Sequence, residues 1–494
     1  MIQVYNTMSR SKEIFKPLKD GEVSIYCCGV TPYNSPHIGN ARPFVTWDVI
    51  RRFFRRLGYK VRYIQNFTDI DDKIINAANA EGVTWQEISQ RYIAAYFRVM
   101  DALNIRRADI YPRVSETIPD IIEMIQRLVD KGFAYKLDNG DVFYSVEADK
   151  SYGKLSRRNL EEMQAGARVE VNDKKRNPMD FALWKAAKPN EPFWESPWGK
   201  GRPGWHIECS AMSLKYLGEK FDFHGGGADL IFPHHENEIA QSQAALGDEN
   251  SFAQYWVHNG FITVNKEKMS KSEGNFFMVE DCLKKYPGEV VRFFLLQTQY
   301  RNPLDFSEEQ IKEAQIAYNR LKNSYDNLND LALRIEDGTF IHGGDKTSMV
   351  TVSNAGGLVE MAERLMAEFD DAMSDDFNTA LAISYMFELA RDINSYYSDY
   401  ISGKISPRGA DAFIIMRVRE IFLTMAEVIG IFENIEEGTA DSDLVERLMA
   451  IIISIRQDAR QNKNWAVADK IRDDLKSAGI ILEDTPQGVK WKQA

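Results

Sequence analysis

Val23-Ser24-Ile25-Tyr26-Cys27-Cys28-Gly29 reads as a β-strand closed by a glycine, 41–57 reads as a helix, and Val61-Arg62-Tyr63-Ile64 reads as a second short strand. Strand, helix and strand in that order form a βαβ unit, so the strands are expected side by side and parallel with the helix on one face. The class is therefore α/β, with a Rossmann-like parallel sheet. Further on, 207–217 returns to helical spacing, Phe221-Asp222-Phe223-His224 is a short strand and 237–246 belongs to another helix, which supplies a second half. Between the halves the character changes from Phe133 to about Gly201. Val142-Phe143-Tyr144-Ser145-Val146 alternates there, and Pro178, Pro189, Pro192, Pro197 and Pro203 punctuate a Trp-rich stretch, as expected of an inserted connective segment.

After Arg301 the long segments 309–334, 361–373 and 377–397 are helical, with charged residues along their exposed faces. The Gly-, Thr- and Ser-rich passage 338–354 is expected to be a linker. The last segment, 444–491, reads as helix, a turn at Gly479 and a compact tail around Pro486 and Gly488. The expected divisions are 1–132, the first half of the sheet domain; 133–200, the insertion; 201–300, the second half; 301–350, helix and linker; and 351–494, a mainly helical region.

A chain of 494 residues, 44% hydrophobic, can bury a large core and is expected to form two or three domains. Its 61 Lys plus Arg against 73 Asp plus Glu give a net charge of -12, which excludes a uniformly basic surface and restricts nucleic acid to a local patch. The 4 Cys lie at irregular positions, which suits a reducing compartment and metal ligation better than a disulfide framework. Neither an N-terminal apolar stretch with a cleavage signal nor an apolar run of membrane-spanning length is found, so a cytoplasmic chain with no membrane partner is expected.

His234 and Glu238 are one helical turn apart, which sets an imidazole and a carboxylate on one face, while His235 and Glu236 are expected to point elsewhere. Cys28 ends a strand, and Cys209 follows Gly204-Trp205-His206 on a helix that can turn its thiolate inward. Two thiolates, an imidazole and a carboxylate suit tetrahedral zinc, which accepts S, N and O donors together. Spacing alone leaves the alternative open, two buried thiols and an ordinary helical pair, because nothing local ties the four together. Strand alternation sends Cys27 to the face opposite Cys28, and Cys282, beside Leu283 in a late helix, reads as a core thiol.

In Pro36-His37-Ile38-Gly39-Asn40-Ala41-Arg42-Pro43 the glycine lets backbone approach a ligand, and the following helix offers unpaired N–H groups to phosphate. Pro43 is tolerable only in the first helical turn, which sets His37 at or just before the helix start. Lys268-Met269-Ser270-Lys271-Ser272 is a polar loop with two cations able to meet charge growing on departing pyrophosphate; taken alone it reads as a solvated turn. Gly225-Gly226-Gly227-Ala228-Asp229 could admit adenine close to backbone and offer Asp229 to ribose hydroxyls, or be a tight turn only. No GxxxxGK[ST] pattern is present, which argues against P-loop chemistry.

Together these segments closely resemble the cysteinyl-tRNA synthetase family, class I aminoacyl-tRNA synthetases. The resemblance runs over nearly the whole chain, through Tyr5 to Met8, Cys28-Gly29, His37 to Arg42, Asn66-Phe67-Thr68-Asp69-Ile70-Asp71-Asp72-Lys73, Gly204 to Met212, His224 to Gln241, Lys268 to Phe276 and Ala468 to Trp491. It implies a class I synthetase catalytic domain with a connective insertion, one zinc per chain on Cys28, Cys209, His234 and Glu238, and a HIGH-type ATP motif containing His37, Gly39 and Asn40. Lys268, Met269 and Lys271 fall in the KMSKS signature, Gly227 and Asp229 toward the nucleotide, and Cys28, Gly29, Thr68 and Trp205 toward the amino acid. The implied partners are tRNA(Cys), L-cysteine and ATP with Mg2+, with 301–350 contacting the tRNA stem, 351–494 reading the anticodon, and the chain a monomer.

The implied reaction joins cysteine to tRNA(Cys) through cysteinyl-adenylate, releasing pyrophosphate and then AMP. Zinc selects the substrate thiolate over the harder, less acidic alcohol of serine, and the ribose 2'-hydroxyl is the first acceptor. One departure stands out: relatives commonly read Cys-Gly-Pro-Thr-Val-Tyr where this chain reads Cys28-Gly29-Val30-Thr31-Pro32-Tyr33, which moves the restrained φ by two positions. That variant also resembles the shorter cysteine:glucosaminyl-inositol ligases, which lack an extended helical tail. In the tail, Arg456, Arg460 and Lys463 with Trp465 and Trp491 suit RNA backbone and base stacking, or equally a salt-bridged surface over buried tryptophans. The run Arg51-Arg52-Phe53-Phe54-Arg55-Arg56 can guide RNA only in part, since a helix points some of its arginines elsewhere; a structural or solvated role is favoured.

Overall fold

The computed structural model describes residues 1–157, 175–264, 267–268, 277–340, 351–352, 355–407, 409–433, 442–461, 464–477, 480–485 and 488–493. Four strands, Phe252–Asn259, Lys220–Gly227, Glu22–Val30 and Lys60–Phe67, pair in that order, and every neighbouring pair is parallel. The expected βαβ unit is there, its crossover the Ile38–Arg56 helix. Within Glu22–Val30 the stretch from Ile25 to Cys28 is buried, so successive side chains on both faces are covered, as a parallel sheet flanked by helices requires. From this inner strand the chain adds Lys60–Phe67 on one side and later Lys220–Gly227 on the other. The reversal opens a crevice at the carboxyl ends of those strands, where Cys28-Gly29 and Gly225-Gly226-Gly227 lie.

The crossover helix begins at Ile38, three residues before the expected start, and Pro43 is its sixth residue rather than part of a first turn. A proline there cannot donate to the carbonyl of Gly39, which is thereby released from the helical ladder next to the crevice. The Val30-Thr31-Pro32 variant closes tightly: Tyr33 N–H donates to the Thr31 carbonyl at 3.0 Å across Pro32, a three-residue turn whose centre suits proline's fixed φ.

The arginine run at the far end of this helix is structural. Asp48, fully buried, receives Arg51 Nη2 at 2.9 Å, Arg52 Nε at 2.6 Å and Arg292 Nη2 at 2.8 Å. The same guanidiniums donate to the carbonyls of Leu103, Asn104, Arg106 and Arg107 on one side and of Glu427 and Ile429 on the other. Arg56 pairs with Asp370 at the surface. Burial alone would raise the Asp48 carboxyl, yet Arg292, Arg52 and Arg51 hold it down at about 2. Asp48→Asn leaves Arg51 and Arg292 buried without a carboxylate and Arg52 with Glu433 alone, and is expected to cost about 3–5 kcal/mol in denaturant unfolding at neutral pH. Since the folded pKa lies below the unfolded one, near about 4, the contribution is complete above that value. It is lost as pH falls toward about 2. The stability gap between the wild type and D48N should narrow across that window; a gap independent of pH would contradict the assignment.

The inserted stretch forms an antiparallel sheet in the order Ala134–Lys136, Val142–Tyr144, Phe181–Ala186 and Gly201–Pro203, while 158–174 lies outside the described residues. Helices Glu308–Glu336, Ala355–Ser374, Thr379–Ile401 and Gly409–Ile429 follow. Most of the expected linker 338–354 lies outside the described residues; Thr351–Val352 is a short strand paired with Ile405–Ser406. The chain divides into two compact units, 1–433 and 434–494. The second holds helices Ser442–Gln461 and Trp465–Ser477, then an antiparallel strand pair, Ile480–Thr485 with Gly488–Gln493, where only a compact tail was expected. Gly479, Pro486 and Lys463 lie outside the described residues. Arg456 is only 5% exposed, so of the pair read as a backbone-binding couple Arg460 alone reaches the surface, whereas Trp465 is exposed.

Candidate active site

Cys28 is presented by the end of Glu22–Val30, Cys209 by the helix Trp205–Leu217, and Glu238 by the helix Glu236–Leu246. His234 comes from the turn Ile231–His235, which Phe232 enters in extended conformation, and not from the regular helix expected; the one-turn spacing to Glu238 nonetheless holds. The four ligand atoms all lie within 4.8 Å of one another and all four residues are buried. Cys28 Sγ stands 3.7 Å from Cys209 Sγ and 3.3 Å from Glu238 Oε1, and His234 Nε2 stands 2.9 Å from the same oxygen. Sequence spacing left two readings of these residues; the fold brings them together.

The cluster is short of positive charge. Burial, with Cys209 and Glu238 beside it, pushes the Cys28 thiol well up, whereas Cys209, accepting from Cys28, drops to about 6. Burial opposes a charged His234, yet Glu238 and Cys209 lift it to about 10; burial likewise opposes a charged Glu238, which His224 and His234 drive well below its usual range. Three buried groups that ionise negatively thus surround one imidazole, and a divalent cation of zinc's softness fits that donor set.

Sequence reasoning missed His224. Its Nδ1 faces the Tyr26 carbonyl at 3.0 Å and its Nε2 reaches Glu238 Oε2 at 2.8 Å, so it fixes the carboxylate while the other oxygen meets Cys28 and His234. His235 was expected to point away, but its Nε2 comes within 3.9 Å of Glu238 Oε1, and Cys28, His224, His235 and Glu238 also meet the ligand spacing. The crowding of His224, His234 and His235 around Glu238 arises because the chain doubles back between the strand Lys220–Gly227 and the turn Ile231–His235, a relation that local spacing does not carry. Asn66, another missed residue, receives Gly29 N–H at 2.9 Å and Cys209 Sγ at 3.7 Å. Gly29 is obligatory: a Cβ there would sit 1.6 Å from the Asn66 carbonyl oxygen. Cys27 lies on the other strand face, where burial raises it to about 12 beside Tyr63, and Cys282 is a buried thiol raised to about 11 chiefly by burial.

Cys28 and Gly29 open onto a cavity of about 360 Å³ that runs past His37, Gly39 and Asn40 to Gly227 and Asp229. His37 is the N-cap of the crossover helix: its Nδ1 accepts from Asn40 N–H at 3.2 Å while Asn40 Oδ1 accepts from His37 N–H at 3.3 Å. With Nδ1 an acceptor, the neutral ring carries its proton on Nε2 as a donor. Trp205 is 40% exposed and stacks on His234 at 4.2 Å between ring centroids, so it is a cavity wall and not core packing. Of the three glycines, Gly225 is packed against Trp47 and the Val257 carbonyl and Gly226 against Leu230 and His235; Gly227 alone lines the cavity. Thr68 is buried outside the cavity and donates to Glu208 Oε2 at 3.0 Å, a carboxyl that burial pushes well up. Lys268 ends a two-residue strand paired with Thr263–Val264, and Met269 and Lys271 lie outside the described residues.

Residues 14–316 match the family model described as tRNA synthetases class I (C) catalytic domain, 368–433 the DALR domain and 443–491 the cysteinyl-tRNA ligase anticodon binding domain. The chain is similar to the cysteine–tRNA ligases of Desulforamulus reducens, 52% identical over 501 residues, and Pelotomaculum thermopropionicum, 53% identical over 504, each pair aligned over 100% of both chains. Among solved structures it resembles Mycobacterium tuberculosis methionyl-tRNA synthetase in complex with methionyl-adenylate, at TM-score 0.57 and 20% identity, over 83% of this chain and 89% of that one. An Agrobacterium radiobacter leucyl-tRNA synthetase complex aligns at TM-score 0.57 and 11% identity, over 84% and 85%. At such identities the structural likeness speaks to the fold.

Proposed function

Because the chain belongs to the cysteinyl-tRNA ligase family of class I aminoacyl-tRNA synthetases, we propose that it activates L-cysteine with ATP and transfers it to tRNA(Cys), with zinc on Cys28, Cys209, His234 and Glu238 selecting the substrate. The observation that carries this reading is the buried two-thiol, imidazole and carboxylate set, whose Cys28 opens onto the cavity that His37 and Asn40 also line. Zinc bound there would supply a borderline-soft Lewis acid that prefers a thiolate to an alcohol of nearly equal size.

The residues around it divide the remaining work. Trp205 offers a rigid aromatic wall for the side chain, and Gly29 lets backbone come close to it. The cysteine carboxylate attacks the α-phosphorus of ATP and pyrophosphate leaves. His37 Nε2–H donates to phosphate oxygens, Asn40 holds that ring in the donating tautomer, and Lys268 and Lys271 meet the charge that grows on the leaving group. Gly227 admits the nucleoside and Asp229 accepts from its ribose. Thr68 acts from behind the wall, through Glu208. A ribose hydroxyl of the terminal adenosine then attacks the activated carbonyl and AMP leaves. Mg2+ accompanies the triphosphate, and the chain works as a cytoplasmic monomer; among the described residues no helix is long and apolar enough to cross a membrane.

Cysteine-dependent exchange of labelled pyrophosphate into ATP, followed by charging of unfractionated tRNA with labelled cysteine, tests the reading, and both reactions are expected. Exchange with no tRNA charging, and product on glucosaminyl-inositol instead, would transfer the chain to the small-molecule ligases. The match of 443–491 to an anticodon binding domain favours the RNA substrate.

A further inference from the structure

The segment Thr68-Asp69-Ile70-Asp71-Asp72-Lys73 carries three carboxylates and one ammonium, and the structure engages all three carboxylates. Asp69 accepts from Ser115 N–H at 3.0 Å and Ser115 Oγ–H at 2.5 Å. Asp71 caps the helix Asp72–Glu81 by accepting from Lys73 N–H at 2.9 Å. Asp72 is held by two cations of the inserted sheet, Lys185 Nζ at 2.9 Å and the largely buried Arg202. Lys73 is left exposed on the cavity wall that Cys28 and His37 also line, with no carboxylate partner among the described residues and its ammonium 5.5 Å from the Tyr33 ring centroid.

This placement runs against local preference. The first turn of a helix is its positive end, where acidic residues are favoured, and Lys73 is the second helical residue. A neighbouring aspartate would ordinarily compensate it, but the insertion's Lys185 and Arg202 occupy that aspartate. Asp71 is engaged with the backbone N–H of Lys73 and Asp72 with the insertion, so neither meets the ammonium, and a cation left so at the positive end of a helix is expected where function sets the residue. The Lys73 ammonium thus places a cation on the wall of a cavity that Asp229 also lines.

We propose that Lys73 is a phosphate-binding residue of the site, engaging an anionic phosphate oxygen of a substrate during the reaction. The inference rests on the synthetase reading given above. Two substrates bring phosphate to this cavity, the triphosphate of ATP and the 3'-terminal phosphodiester of the RNA, and they are separable by step.

The full-length chain is compared as wild type, K73Q and K73R in cysteine-dependent pyrophosphate exchange and in tRNA charging. K73Q is expected to lose about 10–100-fold in kcat/KM, less than a fully preorganised donor, and K73R to recover most of it. Loss in both assays with a raised KM for ATP assigns the triphosphate; exchange unchanged with loss confined to the tRNA kcat/KM assigns the terminal phosphodiester. K73Q within twofold of the wild type in both assays, or a loss that K73R does not restore, would overturn the proposal. A wild type inactive in exchange would instead fault the synthetase reading itself.

Discussion

Cys209→Ser is expected to strip the chain of most of its zinc and to collapse its preference for cysteine over serine. The serine alcohol is nearly isosteric, so the helix Trp205–Leu217 and its packing should survive, but at neutral pH it remains protonated where Cys209 already sits at about 6. The remaining donors, Cys28, His234 and Glu238, then hold the ion with one anion fewer. Selection is affected with it. A pocket that separates two side chains without a dedicated bond to one of them reaches only about 10² discrimination, whereas one built around a required polar partner reaches about 10⁴–10⁵. Metal analysis of the purified variant and the ratio of kcat/KM for cysteine and serine in pyrophosphate exchange should fall together. Normal values for both would remove Cys209 from the ligand set.

The second large effect is expected at His37. His37→Asn keeps an N-cap of the preferred kind, so the Ile38–Arg56 helix retains its start, but it lacks a donor at the position of Nε2. Pyrophosphate exchange should drop by about 10²–10³ in kcat with thermal stability unchanged. His37→Ala should lose the same activity and, in addition, about 1 kcal/mol of stability from the missing cap. If H37N kept near-normal exchange, the ring would be a cap alone, and the role of phosphate donor would have to leave it.

The apolar run from Val23 to Cys28, the glycine after it and the helical spacing beyond His37 were enough for the parallel sheet, because burial on both faces leaves a continuous apolar signature. The start of the crossover helix was read three residues late, since Pro43 was expected to mark a first turn; the reciprocal His37–Asn40 cap overrides it, and the missing bond falls on Gly39 beside the cavity. The ligand spacing of His234 and Glu238 was readable because it is local. What joins them to Cys28 and Cys209 is the sheet's strand order, which no spacing expresses. His224 escaped notice for the same reason: a single histidine in a strand carries no local mark, and its work depends on the Tyr26 carbonyl and Glu238 arriving from other elements. The arginines from Arg51 to Arg56 illustrate the reverse. The structural or solvated role favoured for them needs only helix geometry, and Asp48 draws the first two into the core.

In the proposed reaction the substrate's sulfur is recognised by a metal held on two protein thiolates. X-ray absorption at the zinc edge of the purified chain, before and after free cysteine is added, tests it most directly. One zinc per chain with two sulfur neighbours is expected at the start, with a third sulfur appearing on addition of cysteine and none on addition of serine. An active chain that contains no zinc, or a sulfur count that cysteine leaves unchanged, would contradict it.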